Sequence, residues 1–327
     1  MLAGSMEAVI LCNEQIHRFA EVLRRDSSCQ PFRFVSEEVA NPKLFPPVDA
    51  DGVVDLFFFA VAHQFGFWEV RGDRYDQPMV AQVDGVACKG SDFVWRCVTR
   101  AWESDASFFA VNRLARLGPG DWARVFEDDE GRNPLPMWLE HLEIIMDYGA
   151  WWQLSESTPS ELLLSWDGSR GVLADFLKRA GRVPGYREDP LRKKLMLLAM
   201  VLANRPEAFL AVDDPDAFDP VIDYHLMRSA LRTGLVVVED PGLREALAAR
   251  QLVSEPEESA VRAKVFEAIE AMRIHSGVSH AAMDFFFFQN RTRCPEMTEP
   301  DCGSCPVQEV CMQRKELFQP VRRTTYY

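Results

Sequence analysis

A helical hydrophobic pattern that begins at Asp92 limits the possible folds more than any other feature of this 327-residue sequence. Apolar residues recur there at steps of three and four, which places them on one face of an α-helix. Capping residues and prolines at Ser91-Asp92, Thr158-Pro159, Asp189-Pro190 and Ser279 mark four starts. The sequence therefore predicts a mainly α fold with two lobes of helices. The predicted helices lie near 92–103, 121–127, 136–152, 159–165, 170–180, 190–204, 223–233, 243–252, 257–275 and 279–289.

One small antiparallel β element is expected before this helical region. Residues 79–89 contain two short β-favouring runs separated by Asp84-Gly85, a pair typical of tight hairpin turns. No other segment has a convincing hairpin pattern. Residues 10–23 show helical spacing, residues 41–47 form a proline-rich loop, and residues 56–62 are apolar on every side and are expected to be buried.

Composition and charge narrow the class of partner. The chain is 47% apolar and 26% charged, which excludes disorder along its whole length. Lys and Arg number 36 against 50 Asp and Glu, a formal charge of −14, which disfavours a protein that neutralises many nucleic-acid phosphates. No apolar run of about 18 residues is present, so no membrane contact is expected. The N-terminal residues lack the basic start of a signal peptide, and we expect a cytoplasmic protein with a small substrate.

The eight cysteines fall into two groups. Four of them are scattered among apolar neighbours and are expected to be small buried hydrophobes: Cys12, Cys29, Cys88 and Cys97. The other four lie within 18 residues in the pattern C-x7-C-x2-C-x5-C: Cys294, Cys302, Cys305 and Cys311. Four thiolates on an irregular loop with prolines and a glycine suit a 4Fe–4S cluster or a structural zinc ion, and both remain open.

The sequence Asp301-Cys302-Gly303-Ser304-Cys305-Pro306 resembles the 4Fe–4S loop of the endonuclease III branch of helix-hairpin-helix DNA glycosylases. The second and third cysteine gaps match that loop, whereas the first gap has seven residues where the family usually has six. The resemblance implies a structural 4Fe–4S cluster and a glycosylase-like helical bundle. It divides the chain into a helical domain at 1–290 and a cluster loop with a basic tail at 291–327.

Asp223 begins a helix after the apolar pair Val221-Ile222. Asp is a favoured helix N-cap, and a cap needs no catalytic role. The segment also resembles the part of the same superfamily that carries the essential aspartate, followed here by His225 and Arg228. That resemblance implies that Asp223 is catalytic, because a fixed carboxylate stabilises the positive charge on the sugar and orients water. No lysine occurs between Lys194 and Lys264, which favours a monofunctional hydrolase over a Schiff-base lyase.

Over nearly the whole chain the order of segments resembles the queuosine salvage family, the queuosine 5′-phosphate N-glycosylases. The resemblance implies a hydrolase that releases a 7-deazaguanine or queuine-type base from a free nucleoside or nucleotide. It also implies that Phe65 and Trp68 stack on the base and that Tyr224, His225 and Arg228 bind the substrate, although core packing is the usual role of such aromatics. The resembling segments are 56–68, the hairpin after it, 191–195, 222–225, 258–263, 284–286 and 322–327.

This chain departs from the queuosine salvage pattern at three places. The aliphatic residues 197–201 replace a second aspartate, Gln64 replaces an asparagine, and the cysteine loop is additional. Two alternative functions therefore stay open: a monofunctional DNA glycosylase with a 4Fe–4S cluster, and a non-catalytic cluster-bearing protein that binds nucleic acid. Residues 181–186 only weakly match the DNA-gripping hairpin of the glycosylases, which disfavours duplex DNA as the substrate.

Overall fold

The computed structural model describes residues 7–36, 43–164, 171–214 and 217–327. About half of the chain is helical and the strands form only small antiparallel pairs, which confirms a mainly α fold. The elements are, in chain order, β1 (Val9–Leu11), α1 (Asn13–Arg25), α2 (Val53–Ala62), β2 (Trp68–Arg71), β3 (Arg74–Pro78), β4 (Val80–Val83), β5 (Val86–Lys89), α3 (Ser91–Ser104), α4 (Val111–Leu114), α5 (Pro119–Val125), α6 (Trp138–Ser155), α7 (Pro159–Leu164), α8 (Val172–Ala180), α9 (Lys193–Asn204), α10 (Tyr224–Thr233), β6 (Val236–Val238), α11 (Pro241–Ala248), α12 (Glu255–Ser276) and α13 (His280–Asn290).

The described residues form two compact units. Unit 1 contains those of residues 1–31, 70–77 and 218–323, and unit 2 contains those of residues 32–69, 78–217 and 324–327. The four clustered cysteines and Asp223 belong to unit 1, whereas Phe65 and Trp68 belong to unit 2.

Helix α12 is the centre of unit 1, where it packs on α1, α10, β1 and β6. Its N-terminus is capped reciprocally by Ser254 and Glu257, whose carboxylate accepts a hydrogen bond from the Ser254 amide at 2.7 Å. Phe19 of α1 is fully buried, and its ring stacks on that of Phe287 from α13 with 5.7 Å between centroids. These apolar contacts bury the faces that the helical periodicity predicts.

Helix α2 is the centre of unit 2, where it packs on α3, α7 and α9. The expected burial of residues 56–62 is confirmed, because all seven side chains are shielded from solvent. Phe59 stacks on Trp122 of α5 with 4.9 Å between ring centroids. A helix that is apolar on every side is stable only where neighbours cover all of its faces, and α2 has that position.

The expected hairpin at 79–89 is present as β4 and β5. The strands are antiparallel, and Val83 pairs with Val86 across the Asp84-Gly85 turn. Both turn residues have positive φ, 53° and 74°, as a type I′ turn requires. The carboxylate of Asp129 accepts hydrogen bonds from both turn amides at 2.8 Å and stabilises the turn.

The expectation of a single small β element is wrong, because β2 also pairs with β3 and β1 pairs with β6. In the second pair, Val9 lies opposite Val238 and Leu11 lies opposite Val236. Strands β1 and β6 are short and more than 200 residues apart along the chain, so no local sequence pattern predicts their pairing. The β2–β3 pair is formed by a charged sequence that turns at Gly72, whose φ is +65°.

Most predicted helix starts are close to the observed ones, and one is wrong. Helix α9 begins at Lys193 and not at Asp189-Pro190, because the Asp189 carboxylate accepts hydrogen bonds from the amides of Leu191 at 3.0 Å and Lys193 at 2.7 Å, forming a turn before the helix. Helix α3 begins at the predicted position, although its N-cap is Gly90.

Some expectations concern residues outside the described ranges. These are residues 41–42 of the proline-rich loop, residue 165 of one predicted helix and residue 170 of the next. Within the described ranges, none of the helices has both the length and the apolarity that crossing a membrane demands.

Candidate functional site

Asp223 is the N-cap of α10, as its sequence context predicts. Its backbone is extended and its Oδ1 accepts a hydrogen bond from the Leu226 amide at 3.0 Å. The side chain is half-buried. Arg262 of α12 fixes the turn into the helix, because its Nε donates to the carbonyl of Ile222 at 3.1 Å. Asp223 therefore has a set position from which a partly exposed carboxylate can act on a ligand.

The residues that follow Asp223 on α10 enter a buried polar cluster. We define the Glu296 cluster as His225, Arg228, Glu296 and Gln319. Arg228 is 1% exposed; its guanidinium lies 3.6 Å from the Glu296 carboxylate and donates to Gln319 Oε1 at 3.1 Å. Burial lowers the pKa of Arg228, and the charge of Glu296 opposes that shift. The structure thus pairs a buried cation with a buried anion.

His225 accepts from Arg228 rather than donating to Glu296. Arg228 Nη2 lies 3.0 Å from His225 Nδ1, whereas Glu296 Oε1 lies 3.7 Å from the same nitrogen. A guanidinium group has only donors, so Nδ1 is the acceptor and neutral His225 carries its proton on Nε2. Tyr224 is buried beside these groups, and burial raises the pKa of its phenol, with further contributions from the charges of Asp223 and Glu296.

Sequence reasoning missed Glu296 and Arg262. Glu296 is 73 residues from Asp223, and nothing in the pattern of the cysteine loop distinguishes it from other acidic residues there.

Substrate binding by Tyr224, His225 and Arg228 stays a prediction. The described contacts of Arg228 are with Glu296, His225 and Gln319, and its burial limits access for a ligand.

The cysteine loop, residues 294–311, is held close to α10. A short 3-10 helix, Cys302–Ser304, is capped by the carboxylate of Asp301. Cys294, Cys302, Cys305 and Cys311 are all half-buried and form no disulfide. Burial raises the pKa of Cys305 and Cys311, and the charges of other thiols in the loop raise both values further.

Two hydrogen-bond donors point at sulfur atoms of the loop. Arg232 Nη1 lies 3.3 Å from Cys294 Sγ, and the amide of Gln313 lies 3.3 Å from Cys311 Sγ. Donors of this kind stabilise thiolate ligands of metals and iron–sulfur clusters. The chemistry of these donors therefore suits a thiolate-bound group. Among the described side chains, however, no three or more His, Cys, Asp or Glu groups are spaced to hold a metal ion.

Phe65 and Trp68 are buried in unit 2. Phe65 is fully buried; its ring stacks on that of His141 with 3.9 Å between centroids, and the Lys194 ammonium lies 4.7 Å from the ring centre. Trp68 is 7% exposed. Phe65 would have to leave His141 before it could stack on a base, so the role of both rings stays a prediction.

Two buried lysines bind the C-terminal end of α2. Lys194 Nζ donates to the carbonyl of Ala62 at 3.0 Å, and Lys193 Nζ donates to that of Gln64 at 3.2 Å. Cations at this end of a helix satisfy carbonyls that lack a partner in the helix. His63 and His141 lie beside them with their Nδ1 atoms 3.2 Å apart, so one donates and the other accepts.

The free energy of unfolding should increase with pH because Lys194 and His141 are buried bases. Burial lowers the pKa of Lys194 from 10.5 to about 7 and that of His141 from 6.5 to about 3. The folded state therefore holds fewer protons than the unfolded chain within both intervals, and the free energy of unfolding increases with pH there. Between pH 7 and about pH 8.5, the titration of Lys194 should increase the free energy of unfolding by about 1–2 kcal/mol.

Urea denaturation at a series of pH values measures this effect. In the Lys194→Met variant the increase above pH 7 should be smaller than in the wild type by the Lys194 contribution. Equal pH dependence in the two proteins would show that Lys194 does not lose its proton on folding.

A cleft of about 360 Å³ in unit 2 contains none of the predicted site residues. Its lining includes Arg100, Arg113 and Arg124. Arg113 and Arg124 form ion pairs with Asp105 and Asp121, and Arg100 donates to backbone carbonyls. These cations are engaged by protein groups, and the cleft is not assigned to a ligand.

No family model matches the chain, and no curated protein matches it. The assignment of function therefore depends on the geometry around Asp223 and on the motif resemblances described above.

Proposed function

We propose that the protein is a hydrolase that cleaves the N-glycosidic bond of a modified nucleoside or nucleotide and releases a 7-deazaguanine or queuine-type base. The observation that carries this proposal is the position of Asp223. It is a half-buried N-cap carboxylate at the start of α10. The next two residues of that helix are Tyr224, which is buried, and His225, which belongs to the Glu296 cluster. A carboxylate held in this way is the group that glycosidic bond cleavage requires.

Each of these residues has a distinct role in the proposed reaction. As the bond to the base lengthens, positive charge develops on the sugar, and the Asp223 carboxylate stabilises it without reorganisation because the Leu226 amide holds its Oδ1. The same carboxylate accepts a proton from the water that attacks the sugar carbon, while the base departs with the electron pair of the broken bond and gains one proton. The N-terminus of α10 favours a negative charge at this place. Tyr224 and His225 are proposed to bind the substrate, whereas Arg228 acts through its contacts with His225 and Glu296.

Base release from a defined set of substrates tests the function. Modified 7-deazaguanine nucleosides, their 5′-monophosphates and duplex DNA with damaged bases are incubated with the protein, and the free base is quantified by chromatography. Release from free nucleosides or nucleotides supports the proposal. Release from DNA alone would identify a DNA glycosylase, and binding of nucleic acid without turnover would identify a non-catalytic protein.

We further propose that the four clustered cysteines hold a structural 4Fe–4S cluster, with zinc as the alternative. Protein purified without oxygen should be brown, absorb near ~400 nm and contain about four iron atoms per chain. Cys305→Ser should lose the colour and the iron. Cys12→Ser should keep both, because Cys12 lies outside the loop. Colourless protein with one zinc ion per chain would replace the cluster by zinc.

A further inference from the structure

Arg232, in the last turn of α10, connects this helix to the start of the cysteine loop. Its guanidinium makes three hydrogen bonds: Nη1 to Cys294 Sγ at 3.3 Å, Nη1 to the Pro295 carbonyl at 3.0 Å, and Nε to the Leu317 carbonyl at 3.0 Å. The side chain is 5% exposed. One buried arginine thus holds the first cysteine of the loop and its neighbour against the helix.

Arg228 continues this connection one turn nearer to Asp223. Residues four apart on a helix lie on the same face, so Arg228 and Arg232 meet the same segment of the loop. Arg232 binds Cys294 and Pro295, and Arg228 lies 3.6 Å from the next residue, Glu296. Three consecutive loop residues are therefore bound by two arginines of α10.

The segment after the loop closes on the C-terminus of the same helix. The amide of Met312 donates to the Thr233 carbonyl at 3.2 Å, and the amide of Arg314 donates to the Arg232 carbonyl at 2.9 Å. Carbonyls at the end of a helix have no partner within it, and the segment after the loop supplies two of the missing donors. Gly234, with φ of +83°, ends the helix beside the side chain of Met312. Both ends of the loop are therefore anchored on α10.

We propose that the cysteine loop positions Asp223 through α10, with Arg228 and Arg232 as positioning residues, so that a group bound by the four cysteines increases the rate of base release. This inference rests on the proposed function. A helix of ten residues moves as one body, and Asp223 is its N-cap. Catalytic groups must be placed within about 0.5 Å, and an error of about 1 Å costs up to about 10²-fold in rate.

Arg232→Met is the decisive variant. We expect kcat for base release to fall about 10- to 100-fold with KM changed little, because outer-shell partners of a metal site have effects of this size. Amide hydrogen exchange of residues 223–233 should become faster. The matched control is Arg18→Met, since Arg18 of α1 also donates to the loop, at the Glu309 carbonyl at 3.4 Å, without touching α10. That variant should retain both the wild-type rate and the wild-type exchange.

Two further measurements keep the test independent of activity and of folding. Wild-type protein treated anaerobically with a chelator should show faster exchange at 223–233 than untreated protein. If Arg232→Met does not fold, Glu296→Gln retains the size of the side chain, and it should lower kcat and speed exchange in the same direction.

The outcomes separate the two proposals. Absence of base release by the wild type would overturn the proposed function, while exchange at 223–233 would still decide whether the loop controls α10. Wild-type turnover together with unchanged kcat and unchanged exchange in the arginine variant would overturn the positioning role alone.

Discussion

Asp223→Asn should lower single-turnover base release by about 10²–10³-fold, the effect of removing one preorganised electrostatic group. The neutral amide cannot balance the positive charge that develops on the sugar. Folding should be unaffected, because Asn caps helices as well as Asp does and its oxygen can accept from the Leu226 amide in the same way. Rapid-quench measurement of base release, beside the melting temperature of each protein, gives the two quantities.

Asp240→Asn is the matched control for this prediction. Asp240 caps α11 in the same unit, and its side chain accepts from the Leu243 amide at 2.7 Å. Both variants should melt close to the wild type, and only the change at Asp223 should impair base release. A folded Asp223→Asn protein with wild-type release would mean that Asp223 is a helix cap without a catalytic role.

Arg228→Met should reduce the free energy of unfolding by about 3–5 kcal/mol, because it leaves the carboxylate of Glu296 buried without its cation. Glu296 is 2% exposed, so solvent cannot replace the guanidinium. Urea denaturation followed by circular dichroism measures the loss. Glu296→Gln in the same background should recover part of it, since the buried negative charge is then removed.

Arg244→Met provides the comparison for Arg228→Met. Arg244 and Glu316 form an ion pair at 3.8 Å with side chains that are 55% and 52% exposed, and such pairs contribute about 0–1 kcal/mol. Equal losses in the two variants would show that the buried pair does not stabilise unit 1. Unchanged stability with a raised KM in Arg228→Met would instead favour direct binding of substrate by Arg228.

The local features of this protein follow from short stretches of sequence. The hairpin turn could be predicted because Asp84 and Gly85 are residues that tolerate positive φ. The start of α10 could be predicted because an aspartate binds the amide three residues later. The burial of α2 follows from apolar residues on all of its faces. Each of these signals depends on atoms that are close together in the chain.

The start of α9 shows where local reasoning failed. Asp189-Pro190 has the composition of a helix start, and the Asp189 side chain does bind nearby amides. Those bonds form a turn, and the helix begins only at Lys193, where Lys193 and Lys194 reach carbonyls near the end of α2. The observed start of α9 is therefore the place where two lysines supply donors to carbonyls near the end of α2. The capping signal at Asp189-Pro190 gives no information about that contact.

The sequence by itself determined the helical class, the hairpin, the four clustered thiols and the cap position of Asp223, since periodicity, turn chemistry and capping are short-range properties. Only the tertiary structure decided that Glu296 pairs with Arg228, that Arg232 binds Cys294, and that Phe65 lies against His141. Those pairs are separated by more than 60 residues in the chain. A buried charge or ring must find a partner, and which partner it finds depends on how the helices pack and leaves no periodic trace in the sequence.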